Sequence, residues 1–187
     1  MRKYLIAGLC GLVLLLSHSS CKKFEAGENN EEEVITTMNL YFAPVGGGQG
    51  LVIGFDDPDG PGGNPPTQST ISLARNTVYN VRVELLNKTV SPADTITNEV
   101  IDEGAAHRFY YTASAGNNIT ITNEDVDADG GILGVNTRWT TGAAATGTMT
   151  VTLRHYPGTP PDKQNIDPVF SPKSSTDVAI VFVTAVL

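Results

Sequence analysis

Residues 73–86, with the sequence LARNTVYNVRVELL, decide the fold class because apolar and polar side chains alternate along most of the segment. The apolar positions that share one side are Tyr79, Val81, Val83 and Leu85. The polar positions between them are Asn80, Arg82 and Glu84. A period of two residues is typical of a β-strand with one buried face. The segment therefore predicts a strand that covers a core on one side and faces solvent on the other.

The same period recurs along the chain from Val34 onward, interrupted by runs rich in Gly, Pro and Asp. The other predicted strands are 34–42, 51–55, 70–73, 107–113, 118–122, 137–141, 148–155 and 178–186. We expect 137–141 and 148–155 to pair with each other around the Gly-rich and Ala-rich segment between them. Only 96–106 is predicted to form a helical turn, and 157–172 is predicted to be mostly loop. About eight short strands separated by turn signals predict an all-β fold, a Greek-key sandwich of the immunoglobulin-like kind.

Residues 73–83 resemble the corner found in fibronectin type III and other immunoglobulin-like domains. In that corner a Tyr at the start of a strand hydrogen-bonds back to the preceding loop. The resemblance implies that Tyr79 makes this bond. It supports the fold and assigns no function.

The length and composition suit one folded domain that does not bind nucleic acid. The chain has 187 residues, 40% hydrophobic and 17% charged, with a formal charge of -8. Removing residues 1–20, which hold Arg2 and Lys3 but no acid, leaves 12 - 2 = 10 basic against 20 acidic residues, a charge of -10. A body this acidic repels phosphate backbones.

Residues 1–20 have the pattern of an export signal: a basic start, an apolar run over 4–16 and small residues before Cys21. Cys21 after Ser19 and Ser20 resembles the lipobox of bacterial lipoproteins, with His18 departing from the Leu-like residue usual there. The resemblance implies that Cys21 is acylated and anchors the protein to the outer membrane. Since Cys10 lies within the signal, the mature chain has a single Cys and no internal disulfide. We predict a signal peptide over 1–20, a lipidated acidic tether over 21–33 and a sandwich domain over 34–187.

An acidic loop after residue 122 is the most specific candidate for a metal site. Alternate carboxylates ahead of Gly130 resemble calcium loops of the D-x-D-x-D-G kind. The predicted Ca²⁺ ligands are Asp125, Asp127, Asp129, the Gly131 carbonyl and Asn136. Asn136 stands at the twelfth position, where a bidentate Glu is usual, so the predicted affinity is lower than with that Glu unless another loop supplies a ligand. A second acidic loop, with Asp56, Asp57 and Asp59, is the other candidate, although Asp and Gly also simply favour turns.

The mature chain contains two histidines, His107 and His155. If their strands are neighbours, the pair and a carboxylate would suit Zn²⁺ or Cu²⁺. The alternative is a hydrogen-bond network at the strand ends. Separately, Asp94-Thr95-Ile96 resembles a short O-glycosylation sequence of Bacteroidota, which implies modification at Thr95.

Several segments together resemble a group of Bacteroidota lipoproteins often described as having a type-one periplasmic-binding fold. They are Ser19-Ser20-Cys21, 31–37, the Gly and Asp loop near Asp57, 73–79, 103–111, 141–148 and 153–155. That description implies a two-lobed α/β fold, which a strand-rich mature chain of 187 - 20 = 167 residues cannot form. The resemblance also implies an association with TonB-dependent receptors and nutrient uptake.

The sequence contains no nucleophile elbow, HExxH motif or phosphate-binding loop. We therefore predict a non-enzymatic binding or accessory lipoprotein, stabilised by Ca²⁺, that uses its end loops for binding. One alternative is an adhesive or structural surface module that contacts glycans or proteins. Another is a Zn²⁺ or Cu²⁺ carrier that uses His107 and His155.

Overall fold

The structure is a computed structural model that describes residues 33–60 and 62–187. The predicted signal peptide, Cys21 and all but the last residue of the predicted tether lie outside these residues. Within them, no helix has the length and apolarity that crossing a membrane would require.

The described residues form ten strands and one short helix. In chain order these are β1 (Thr37–Pro44), β2 (Leu51–Asp56), β3 (Thr67–Gln68), β4 (Ile71–Leu73), β5 (Val78–Leu86), α1 (Ile96–Asp102), β6 (His107–Ala113), β7 (Ile119–Thr122), β8 (Asn136–Thr141), β9 (Ala145–His155) and β10 (Ser175–Val186). The predicted strands are therefore present, and the predicted helical turn is α1.

The strands form two sheets that pack as a sandwich, so the predicted all-β fold is confirmed. One sheet has six strands in the order β3-β2-β1-β5-β8-β7, and the other has four in the order β4-β10-β9-β6. Every pairing is antiparallel except that of β4 with β10, which is parallel.

The core lies between the inner faces of the two sheets. The alternation in β5 is observed as predicted, because Tyr79, Val81, Val83 and Leu85 are all buried. Trp139 of β8 packs edge-on against Phe42, with ring centroids 5.2 Å apart, and against Tyr111 at 5.7 Å. Such aromatic pairs contribute about 0.5–1.5 kcal/mol beyond the area they bury. The single-sided alternation thus explains why one face of the six-stranded sheet is core and the other is exposed.

The predicted tyrosine corner is also present. The Ala74 amide donates a hydrogen bond of 3.0 Å to the hydroxyl oxygen of Tyr79. The bond ties the turn between β4 and β5 to the first residues of β5. Because β4 and β5 belong to different sheets, this corner fixes one of the passages across the sandwich.

One predicted pairing is wrong: β8 and β9 do not form a hairpin. β8 pairs with β5 and β7 in the six-stranded sheet, whereas β9 pairs with β10 and β6 in the other. Each strand has a buried side, with Trp139 on β8 and Met149 and Val151 on β9. Both strands bury those sides in the one core between the two sheets. The segment between them therefore crosses from one sheet to the other.

Buried cations hold the long connection between β9 and β10 against the outer face of the four-stranded sheet. Arg108 and Arg154 face each other across the β6–β9 pair and are both buried. Arg108 Nη1 donates to the carbonyl oxygen of Asn165 at 3.0 Å and stacks over the Tyr110 ring at 4.3 Å. Arg154 Nη2 donates to the carbonyl oxygens of Ser171 and Ser174. The predicted loop over 157–172 is therefore confirmed as irregular, but it is fixed by charged hydrogen bonds.

Candidate functional site

A groove on the exposed face of the six-stranded sheet is the candidate binding site of the described residues. It is open to solvent and has a volume of about 490 Å³, within the range of small-ligand sites. Two rows of facing residues cross it: Tyr41, Arg82 and Asn136 in one, and Ala43, Asn80 and Arg138 in the other. Asn123 and Asp125, from the segment that links β7 to β8, close one end. Side chains on neighbouring strands thus converge because the register places them opposite each other.

The two guanidinium groups of the groove retain donors that no carboxylate neutralises. Within the described residues, no ion pair of 4.0 Å or less involves Arg82 or Arg138. Arg138 Nη2 donates one long hydrogen bond of 3.5 Å to Asn80 Oδ1, and its buried Nε has no partner among the described residues. A buried polar group without a partner costs about 1–3 kcal/mol. The groove therefore offers donors that a ligand or water would satisfy.

An acidic residue lines the same groove as these donors. Asp125 Oδ2 accepts a hydrogen bond of 2.7 Å from Asn136 Nδ2, whereas its buried Oδ1 has no partner in the described part of the chain. The Tyr41 hydroxyl donates to Glu84 at 2.6 Å, and this bond raises the pKa of Tyr41 above its ordinary value. The hydroxyl proton is therefore engaged, and Tyr41, which is 37% exposed, lines the groove.

Lys163 lies where the sequence predicts a calcium ion. Its buried ammonium group forms an ion pair of 2.6 Å with Asp127 Oδ2. It also donates to the carbonyl oxygens of Gly104, His107 and Ile132. A hard cation such as Ca²⁺ seeks this kind of oxygen cluster. Here the chain supplies the positive charge itself.

The rest of the predicted calcium loop is closed by its own hydrogen bonds. Asp127 Oδ1 accepts from the amides of Asp129 and Gly131 at 2.9 and 2.8 Å, and the Gly131 carbonyl accepts from the Asp127 amide. Burial alone would raise the pKa of Asp127, but the hydrogen bonds from Lys163 and the amides outweigh it and hold that pKa below its ordinary value. Asp129 is exposed. In residues 33–60 and 62–187, no group of three or more His, Cys, Asp or Glu is arranged to hold a metal ion. Calcium at this loop stays a prediction, with Lys163 as its competitor.

Two of the three carboxylates of the second acidic loop make side-chain contacts, whereas the buried Oδ1 of Asp57 has no hydrogen-bond partner among the described residues. Asp56 Oδ1 pairs with Lys88 Nζ at 2.7 Å and accepts from the Thr37 hydroxyl at 2.6 Å. Asp59 accepts from the backbone and side-chain nitrogens of Asn64. The Asp57 amide donates to the Thr36 carbonyl. These contacts fit the turn interpretation, and calcium at this loop also stays a prediction.

The structure brings the two histidines together, as a shared metal site would require. His107 and His155 are register partners on β6 and β9, and their rings stack with centroids 4.9 Å apart. Nδ1 of His107 is 3.2 Å from the Glu103 carbonyl oxygen, as the hydrogen-bond alternative expects. The Nε2 atom lies 3.9 Å from Glu33 Oε1 and 4.0 Å from Asp177 Oδ2. The Zn²⁺ or Cu²⁺ site stays a prediction.

Glu33 and His107 have pKa values displaced in opposite directions. Burial, with the charges of Asp177, Glu99 and Glu103, raises the pKa of Glu33 to about 7. Burial, with the charges of His155 and Lys163, lowers the pKa of His107 to about 4. Between these two values both groups are mostly neutral, so their contact is not an ion pair.

No family model, curated protein or solved structure matches this chain. The resemblance to Bacteroidota lipoproteins therefore stays a prediction. Thr95 is half-buried and precedes α1, and its modification is likewise untested.

Two functional features were not identified from the sequence. The alternation of β5 indicated that Asn80 and Arg82 are exposed, but their alignment with Tyr41 and Arg138 depends on register, which no local signal gives. Lys163 stands in a Pro-rich segment without periodicity. Its pairing with Asp127, which is 36 residues away, produces no local pattern in the sequence.

Replacing Lys163 with Met should destabilise the fold by about 3–5 kcal/mol, because the buried Asp127 carboxylate and three carbonyl oxygens would lose their cation. Urea unfolding followed by circular dichroism measures the change. The control is Lys173→Met, which removes a more exposed ammonium that pairs with Asp162 and Asp167. Equal, small effects of both substitutions would show that the Lys163 pair does not hold the loop.

Glu33→Gln should alter how stability depends on pH. A folded-state pKa of about 7, above the ordinary 4.5, gives Glu33 a stabilising contribution that is complete below pH 4.5 and lost as pH rises towards 7. His107 has the opposite dependence: its lowered pKa gives stability above 6.5 that is lost as pH falls through about 4. The Gln variant lacks the first effect. Its urea midpoint should therefore rise relative to that of the native protein as the pH is increased from 5 to 8. Asp162→Asn, at an exposed carboxylate, is the control, and parallel curves for native and Gln proteins would contradict the burial of Glu33.

Proposed function

We propose that this protein is a non-enzymatic, lipid-anchored binding module of the cell envelope. In this proposal Cys21 carries the acyl chains at the outer membrane, and the sandwich binds its ligand in the groove on the six-stranded sheet. The observation that carries it is the lining of the groove, in which the two aligned rows, together with Asn123 and Asp125, gather two guanidinium groups, three amides, a carboxylate and an aromatic ring. Preformed cavities with a few convergent polar groups are typical binding sites.

The structure supports the sheet face, rather than the end loops, as the place of binding. Asp127 is already paired with Lys163, and Asp56 with Lys88. Arg82 and Arg138 make no such ion pairs within the described ranges. A ligand gains more binding free energy from charged donors that have no ion-pair partner. The groove is therefore the stronger candidate site.

The sequence alone supports the envelope part of the proposal. The apolar run over 4–16, followed by Ser19-Ser20-Cys21, has the order of a lipoprotein signal. Two or more acyl chains provide a stable anchor, since burial contributes about 0.8 kcal/mol per CH₂. The family resemblance adds a TonB-dependent receptor as the proposed neighbour in nutrient uptake.

Cys21→Ala should release the protein from the membrane fraction of its native cells, because the thiol that accepts the lipid is gone. Membrane fractionation with immunoblotting measures the release, and Cys10→Ala, within the predicted signal, is the control. Mass spectrometry of the mature N-terminal peptide should find an acylated Cys21. An unmodified N-terminus would contradict the anchor.

Hydroxyl-radical footprinting tests the groove. Tyr41, which has 37% of its surface exposed, should be oxidised less in intact native envelopes than in the purified protein, because the bound ligand covers its ring. Phe170, 81% exposed on the connection between β9 and β10, should be oxidised equally in both samples and serves as the control. Equal oxidation of Tyr41 in both samples would contradict binding at the groove.

A further inference from the structure

The charges around the groove are balanced. Arg82 and Arg138 contribute two positive charges. Asp125 lines the cavity, and Glu84, which lies outside the lining, accepts a hydrogen bond of 2.6 Å from the lining residue Tyr41, so two carboxylates oppose them. An anionic ligand would meet both carboxylates, and a cationic ligand would meet both guanidinium groups. The balance favours an uncharged ligand, because like charges brought together in a partly desolvated site oppose binding.

The polar atoms require a ligand whose groups both donate and accept hydrogen bonds. The guanidinium groups are donors only, and an ionised carboxylate is an acceptor only. Arg138 Nε and Asp125 Oδ1 are the two buried atoms of the cavity lining that have no partner among the described residues. A hydroxyl group can accept a hydrogen bond from a guanidinium group and donate one to a carboxylate. Neighbouring hydroxyls on one molecule would therefore serve both sides of the groove.

Amides and a ring complete the lining. The side chains of Asn80, Asn123 and Asn136 each offer a donor and an acceptor to hydroxyl groups. The ring of Tyr41 is partly exposed beside them, and its own proton is held by Glu84. A flat apolar surface next to many hydrogen-bonding groups matches a molecule with a C–H face and a polar rim.

We infer that the groove binds a neutral saccharide, through hydroxyl groups that bridge Arg82 and Arg138 to Asp125 while one face of a sugar ring packs on Tyr41. This inference rests on the proposed function and specifies its ligand. Nothing about it requires the calcium or histidine sites.

Backbone amide NMR shifts of the purified protein, titrated with disaccharides, test this inference. The neutral probes are hexose and pentose disaccharides, each raised to tens of millimolar. The charged probes are a uronic-acid disaccharide and a glucosamine disaccharide. A neutral probe should shift the amides of Tyr41, Arg82 and Arg138 and leave those of the connection between β9 and β10 unchanged.

Variants make the test specific. Arg138→Ala should weaken binding of that neutral probe roughly tenfold or more, as expected for hydrogen bonds to a charged group. Tyr41→Ala should weaken it as well, whereas Tyr41→Phe, which keeps the ring, should bind close to native. Arg75→Ala, at an exposed Arg outside the groove lining, is the control. Thermal melts of each variant confirm that it is folded before its binding is compared.

The outcomes separate the ligand class from the proposed function. If a charged probe shifts the groove amides and no neutral probe does, the neutral class is overturned and the groove remains the binding site. The same holds if Tyr41 is protected in native envelopes but no neutral probe shifts the groove. Probe binding that moves only amides elsewhere, together with unprotected Tyr41, overturns both.

Discussion

The structure depends on one packing constraint: each of the two sheets has an apolar face, and each buries that face against the other. β5 places every second side chain in the core, and Trp139 on β8 packs against Phe42 and Tyr111 from both sheets. Burial of apolar area contributes about 25 cal/mol per Å². The constraint leaves the alternate positions of β1, β5 and β8 on the outer face, where they need not serve packing. The groove occupies these positions.

Outside the strands, buried cations satisfy the backbone carbonyl oxygens that no strand partner reaches. Lys163 binds Asp127 and backbone carbonyls, and Arg108 and Arg154 bind carbonyls along the connection between β9 and β10. A segment without periodicity cannot bury its backbone through a ladder of strand pairs. Charged side chains satisfy those carbonyls instead, so the connection is ordered without regular structure. This use of charge also places the ammonium group of Lys163 against Asp127, in the acidic loop where the sequence predicts a calcium ion.

The sequence predicted what depends on local periodicity. The alternation of β5 and the corner at Tyr79 are properties of consecutive residues, and both are confirmed. Local periodicity does not predict contacts between distant segments of the chain. The hairpin expected between β8 and β9 was wrong because short spacing does not tell whether a chain turns back within a sheet or crosses to the other.

The candidate site was predicted less well for the same reason. Carboxylate spacing pointed to Asp125 and Asp127, but the partner that neutralises Asp127 lies in a remote loop. The two histidines were recognised as a pair only on the condition that their strands are neighbours, and the register of β6 and β9 meets it. The sequence does not indicate the groove, because each of its rows spans three strands and the register of those strands is decided by the whole sheet.

The central claim is that ligands bind on the outer face of the six-stranded sheet and not at the end loops. Hydrogen–deuterium exchange of the purified protein, with and without the total oligosaccharide fraction of its native envelope, tests this most directly. We expect slower exchange in β1, β5 and β8, with 127–131 and 157–172 unchanged. Protection confined to those two loops, with the three strands unaffected, would contradict the account.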